Sequence, residues 1–97
     1  MSDKNWKPRF PLGRTVATPG ARELMHRTGT HPFELLLRHQ GGDWGVLDAD
    51  DCAANERAVM RGGRILSAYE LGENREKVWI VTEGDRSSTA AILPSEY

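Results

Sequence analysis

The spacing of apolar residues along this chain changes once, at Gly62-Gly63, from a period near 3.6 residues to a period of 2. Before the change the pattern predicts helices. Thr18-Pro19-Gly20 is a helix start: the threonine hydroxyl accepts an early helical N–H, and proline in the first turn has no N–H to lose. Ala21–Arg27 follows as helix, with Leu24 and Met25 as anchors and Gly29 as its end. Thr30 opens a second helix with Pro32 in its first turn, and Phe33, Leu36 and Leu37 recur at i, i+3 and i+4, the spacing of one buried face. Gly41-Gly42 stops it. Asp48 begins a third helix, with Asp50 and Asp51 where negative charge suits the helix dipole, and Asp48 with Asp51 stands in for a capping box. Its apolar face is thin (Cys52, Ala54, Ala58, Val59), which predicts close packing through alanines.

After Gly62-Gly63, Ile65, Ser67, Tyr69 and Leu71 alternate with Leu66, Ala68 and Glu70, as in a strand. Gly72-Glu73-Asn74-Arg75 has hairpin-turn composition. Lys77–Thr82 follows with Val78, Ile80 and Thr82 on one side and Trp79 and Val81 on the other, Gly84 sits in the next turn, and Thr89–Leu93 ends at Pro94. The predicted fold is α+β: two to three N-terminal helices covering one face of a three-stranded, or slightly larger, antiparallel meander. Residues 1–97 read as a single domain, with an irregular N-terminal arm over 1–13, a helical part over 18–61 and an antiparallel sheet over 64–93. Pro8, Pro11 and Gly13 break the arm, Trp6 and Phe10 are placed to pin it to the body, and Arg14–Ala17 is a short extended piece.

Charge narrows the function classes. Thirteen Lys and Arg against fourteen Asp and Glu give a net charge of −1, which argues against a protein working mainly as a polycation on nucleic acid. Only the start is locally basic, with Lys4, Lys7, Arg9 and Arg14 against Asp3. Apolar runs such as Leu35–Leu36–Leu37 are far short of the roughly 20 residues of a membrane span, and no apolar segment follows the first charges as in a signal peptide. The single cysteine, Cys52, forms no intrachain disulfide and no zinc cluster; on an alanine-rich face it reads as a small buried hydrophobe. A cytoplasmic protein with no membrane, metal or cofactor is the expectation.

Two turns concentrate chemistry. In His39-Gln40-Gly41-Gly42-Asp43-Trp44-Gly45 an imidazole, an amide, a carboxylate and an indole share a glycine-rich turn. One reading makes His39 a general base or acid. The other makes it a helix-end residue favouring the dipole, followed by a structural turn with Trp44 as a lid on the core. In Thr82-Glu83-Gly84-Asp85-Arg86-Ser87-Ser88-Thr89, Arg86 can grip a phosphate or carboxylate with hydroxyls beside it; the alternative is a polar hairpin turn with a local Asp85–Arg86 contact. Ser67 and Tyr69 share a strand face that also takes in Thr82, Tyr69 reads as a packing residue, and Arg64 reads as a surface cation. P-loop, HExxH, GxGxxG, CxxC and GxSxG motifs do not occur, and His26 and His31 lie five apart rather than at zinc-pair spacing.

The stretches Pro11–Ala21, Arg38-His39-Gln40, Gly42–Gly45, Asn55-Glu56-Arg57, Arg64–Tyr69, Trp79–Glu83, Asp85-Arg86-Ser87 and Ile92–Tyr97 resemble a family of small bacterial proteins of plasmids and integrative elements. The resemblance implies an accessory protein of a mobile element and carries no catalytic residue over. On this reading the chain binds a protein partner, in defence or counter-defence, through Trp6, Arg14, Gln40, Asp43, Trp44, Ser67, Thr82, Glu83, Asp85, Arg86 and Ser87, because Trp, Tyr and Arg anchor interfaces. The alternative rests on a fold-level similarity to metal-independent ribonuclease toxins. It implies that His39, with Arg64 or Arg86 and with Tyr69 beside them, cleaves RNA next to a 2′-hydroxyl.

Overall fold

The computed structural model describes residues 6–97. The expectations placed on Asp3, Lys4 and the other residues of 1–5 lie outside the described residues. Eight elements follow in order: β1 Arg14–Ala17, α1 Pro19–Arg27, α2 Pro32–Gln40, α3 Ala49–Arg61, β2 Ile65–Leu71, β3 Glu76–Thr82, β4 Ser88–Ile92 and a closing 3-10 turn, Pro94–Glu96. Among the described residues no helix is long and apolar enough to cross a membrane.

The α+β class holds, but the sheet is four-stranded and mixed rather than a pure antiparallel meander, in the order β1-β4-β3-β2. β2, β3 and β4 form the expected meander, with Ser67 opposite Ile80 and Thr82 opposite Thr89. Arg14–Ala17, expected as a short extended piece, pairs parallel with β4, Arg14 beside Ser88 and Ala17 beside Ala91. Parallel strands need a long crossover, and the three helices supply it. The strand alternation is as the sequence predicts: Ile65, Ser67, Tyr69, Val78, Ile80 and Thr82 are buried on the helix-facing side. Ala21, Leu24, Met25 and Leu35 pack there against Tyr69, Leu71, Val78, Ile80 and Ala91. A second cluster joins Phe10, Trp44, Ala58 and Ile65 beneath α3.

Two helix faces, one cap and one turn differ from expectation. In α2 the buried residues are Leu35 and His39, one turn apart, whereas Phe33 is 64% and Leu37 46% exposed. Three consecutive leucines leave the stripe ambiguous, and the polar His39 wins a buried place through hydrogen bonds that no apolar pattern shows. The α2 cap is His31, whose Nδ1 accepts Phe33 N–H at 3.1 Å; Thr30 bonds Thr28 instead. Asp48 caps α3 as expected, accepting Asp51 N–H at 2.8 Å. On that helix, however, Ala54 is exposed, Cys52 is only half-buried, and Asn55 is the buried partner of Ala58. The turn Glu83–Ser87 has no Asp85–Arg86 pair: Asp85 accepts Ser87 N–H at 2.9 Å, and Arg86 turns towards α3.

The two ends of the sheet are treated differently. Along the outer edge of β2, Ala68 N–H donates to Trp44 O at 3.1 Å and Val46 N–H donates to Ala68 O at 2.8 Å. Gly45 lies between them at φ +77, so close that a Cβ there would sit 1.8 Å from Ala68 O. Asn55 occupies the same edge two residues along, its amide donating to Leu66 O at 2.8 Å while Leu66 N–H returns a bond of 3.1 Å. Nothing comparable covers β1 among the described residues. Arg14 and Thr18 send their N–H groups to β4, so the alternate residues, Thr15 and Ala17, turn theirs away from the sheet.

Candidate functional site

His39 stands at the centre of the predicted chemistry, and α2 delivers it to the middle of the sheet with no exposed surface. Its Nδ1 lies 2.6 Å from Ser67 Oγ on β2 and its Nε2 2.9 Å from Thr82 Oγ1 on β3. Thr82 Oγ1 is in turn 2.7 Å from Thr89 Oγ1 on β4, and the Thr89 hydroxyl donates to Leu12 O in the arm at 2.7 Å. The two turns that the sequence singles out therefore meet, at the His39–Thr82 bond, inside the core.

The direction of every proton in this chain follows from its last member. A carbonyl oxygen only accepts, so the single Thr89 proton is committed to Leu12 O. Thr89 must then accept from Thr82, and Thr82 must accept from His39, which places the ring proton on Nε2. Nδ1 is left as the acceptor of the Ser67 proton. Burial opposes charge on the ring and lowers its pKa to about 4, so His39 is neutral near pH 7. Phe10 and Trp44 stand edge-on to the imidazole, at 5.1 and 6.1 Å between centroids.

Around this chain the other candidates are held by their own partners. Tyr69 is buried, donates to Asp43 O at 2.6 Å and lies under the Arg38 guanidinium at 4.4 Å; burial pushes its phenol above the ordinary range. Partial burial pushes the Asp43 carboxyl up, but bonds from Arg38 at 2.7 Å and Gly45 N–H at 3.1 Å outweigh that and hold it below its ordinary value. Trp44 donates to Glu56 at 3.0 Å, and Arg9 clamps the same carboxylate with two bonds of 2.9 and 2.7 Å. Gln40 docks the arm by donating to Phe10 O at 2.9 Å, and Trp6 pins it by donating to Leu37 O at 3.0 Å. The pinning by Trp6 and Phe10 is thus as expected.

Arg64 and Arg86 do not reach His39. Arg64 pairs with Glu83 at 3.3 Å and bonds the Tyr97 hydroxyl, on the exposed side of the Glu83 turn. Arg86, at φ +63, donates to Ala58 O and Gly63 O at 2.7 Å each and to Glu83 O and Gly84 O at 3.1 and 3.2 Å. Its fork closes the C-terminus of α3, a structural use of the planar guanidinium. Ser87 accepts Arg14 N–H through its carbonyl at 3.0 Å. No buried side-chain polar atom lacks a partner among the described residues. As a chemical device the cluster is saturated: both His39 nitrogens are engaged and neither meets solvent.

Sequence reasoning gave no site role to Thr89, although it lies in the Thr82–Thr89 stretch, nor to Glu56 and Asn55. Thr89 follows the strand alternation that buries Ala91 and was the one of these with a usable signal. Glu56 and Asn55 sit on a helix too polar to suggest buried partners.

The open side of the molecule lies elsewhere. Beside the free edge of β1 is a groove of about 430 Å³ lined by Thr15, Ala17, Met25, Leu36, Ile80 and Ala91. Arg22 lines both this groove and a neighbouring hollow of about 660 Å³ that runs on to His26 and His31. Among the described residues no cluster of three or more His, Cys, Asp or Glu side chains could hold a metal ion. No family model, curated protein or solved structure matches the chain.

Proposed function

We propose that this chain is a cytoplasmic accessory protein of mobile genetic elements that acts in defence or counter-defence by binding a protein partner. The mobile-element part rests on the sequence resemblance. The binding part rests on one observation: β2's edge is covered by backbone and by an asparagine, while β1's edge has no such cover among the described residues and lies beside an apolar groove. Exposed strand edges invite aggregation and are ordinarily blunted, so an edge left open next to a groove fits a surface kept for a partner. That His39, Arg64 and Arg86 are each engaged by other residues of the chain, and that the arginines do not reach His39, supports the same reading over acid–base cleavage of RNA.

Crosslinking and co-purification of the tagged chain from its native host test the proposal. One protein enriched in constant proportion is the expected result. Absence of any enriched protein, together with His39-dependent cleavage of RNA in chelator, would overturn it.

A further inference from the structure

Resting on the proposed partner binding, we infer that β1 takes an extended, acidic segment of the partner as a fifth strand, with alternate aliphatic side chains of that segment entering the groove beside Ala17, Pro32 and Leu36.

The geometry of the edge selects the shape of the occupant. Thr15 and Ala17 present N–H and C=O groups in the sheet plane, a pattern that an extended backbone completes and a helix does not. Side chains of an added strand point alternately to the two faces. Those on the helix side meet the groove, whose lining includes Val16, Ala17, Pro32 and Leu36; those on the other side point away from the helices. A groove of about 430 Å³ admits branched aliphatic side chains. With only four residues in β1, the added strand is short.

Charge selects the composition. Arg14 lies on the edge strand and Arg22 at the groove, and neither forms an ion pair with a described residue. Two guanidiniums with no ion pair among the described residues, beside that edge, favour carboxylates on the incoming strand. They also disfavour a second copy of this chain as occupant, because edge-to-edge pairing would bring two cationic edges together.

The test uses two synthetic peptides of seven residues, one alternating valine with glutamate and the other valine with lysine. Binding is followed by fluorescence anisotropy and by the backbone amide spectrum of the full chain. The expected result is saturable binding of the glutamate peptide, with shifts at the Thr15 and Ala17 amides, and binding of the lysine peptide weaker by about tenfold or more. Arg22→Glu reverses that order. Thr15→Pro removes an outward N–H without touching the bonds to β4 and abolishes saturable binding.

Equal affinity for the two peptides, amide shifts confined to other elements, no binding at millimolar peptide, or self-association through the same amides would each overturn the inference. If Thr15→Pro fails to fold, the Arg22→Glu reversal and the amide map of the wild type decide. Retention of the native partner by a folded Thr15→Pro chain defeats the inference and leaves the partner reading standing; failure to capture any partner defeats that reading itself.

Discussion

His39 has a buried polar ring between two aromatic neighbours, Phe10 and Trp44, and two hydroxyl partners, Ser67 and Thr82, and its neutrality in the fold has a measurable cost in acid. Its folded pKa of about 4 lies below its ordinary value of 6.5, so between these limits the unfolded chain binds a proton that the folded chain refuses. The contribution is complete above pH 6.5 and is lost progressively as pH falls to 4, by an amount on the order of 3 kcal/mol. Urea unfolding of the wild type and His39→Gln between pH 7 and pH 4 checks this. The carboxylates titrate in both proteins, so the difference in stability isolates the imidazole. The gap between them should narrow on acidification; a gap constant with pH would mean that the ring is solvated.

At the scale of elements, the C-terminus of α3 depends on a side chain from a distant turn. Arg86 accounts for Ala58 O and Gly63 O at the point where Gly62 ends the helix. Arg86→Ala should cost about 1–3 kcal/mol by removing the charged donor that those carbonyls share, although Ala58 O keeps the Gly62 N–H. Arg86→Lys should recover little, since an ammonium lacks the fork that reaches both. Hydrogen exchange should localise the loss to the last turn of α3 and the Glu83–Ser87 turn.

The same residue shows how much of the site was legible. Composition of the Thr82–Thr89 stretch marks Arg86 as a chemical residue, but its acceptors are carbonyls, which every residue carries and no sequence pattern distinguishes. The strands were legible because β2 and β3 alternate over seven residues each, where one misplaced side chain would break the period. The inward stripe of α2 was not. Its decisive member, His39, is paid for by hydroxyls on two strands, Ser67 and Thr82, far away in the chain. The Asn55 pairing with Leu66 was hidden for the same reason, since a side-chain amide imitating a strand leaves no periodic trace.

For the whole molecule, the topology sets an order of assembly. The β2–β3 and β3–β4 hairpins are local, whereas β1 meets β4 only across the three helices and the meander. Closing so long a loop carries a large entropy cost before any contact compensates it, which places the β1–β4 pairing late. A probe in β1 such as Ala17→Gly, expected to cost about 1 kcal/mol, should therefore speed unfolding and leave the folding rate nearly unchanged. A folding rate slowed in proportion to the lost stability would instead put β1 in the nucleus. Stopped-flow kinetics in urea separates the two.

The open edge of β1 has a consequence in time as well as in space. Before β1 docks, the exposed edge belongs to β4, which is longer by a residue and leads directly into the meander. That species is the sticky one, ready to pair with any unfolded neighbour. When β1 arrives it exchanges this edge for a shorter one, flanked by Arg14 and Arg22. A partner that reads β1 can thus recognise only chains whose first and last strands have already met, and its binding becomes a report that folding is finished.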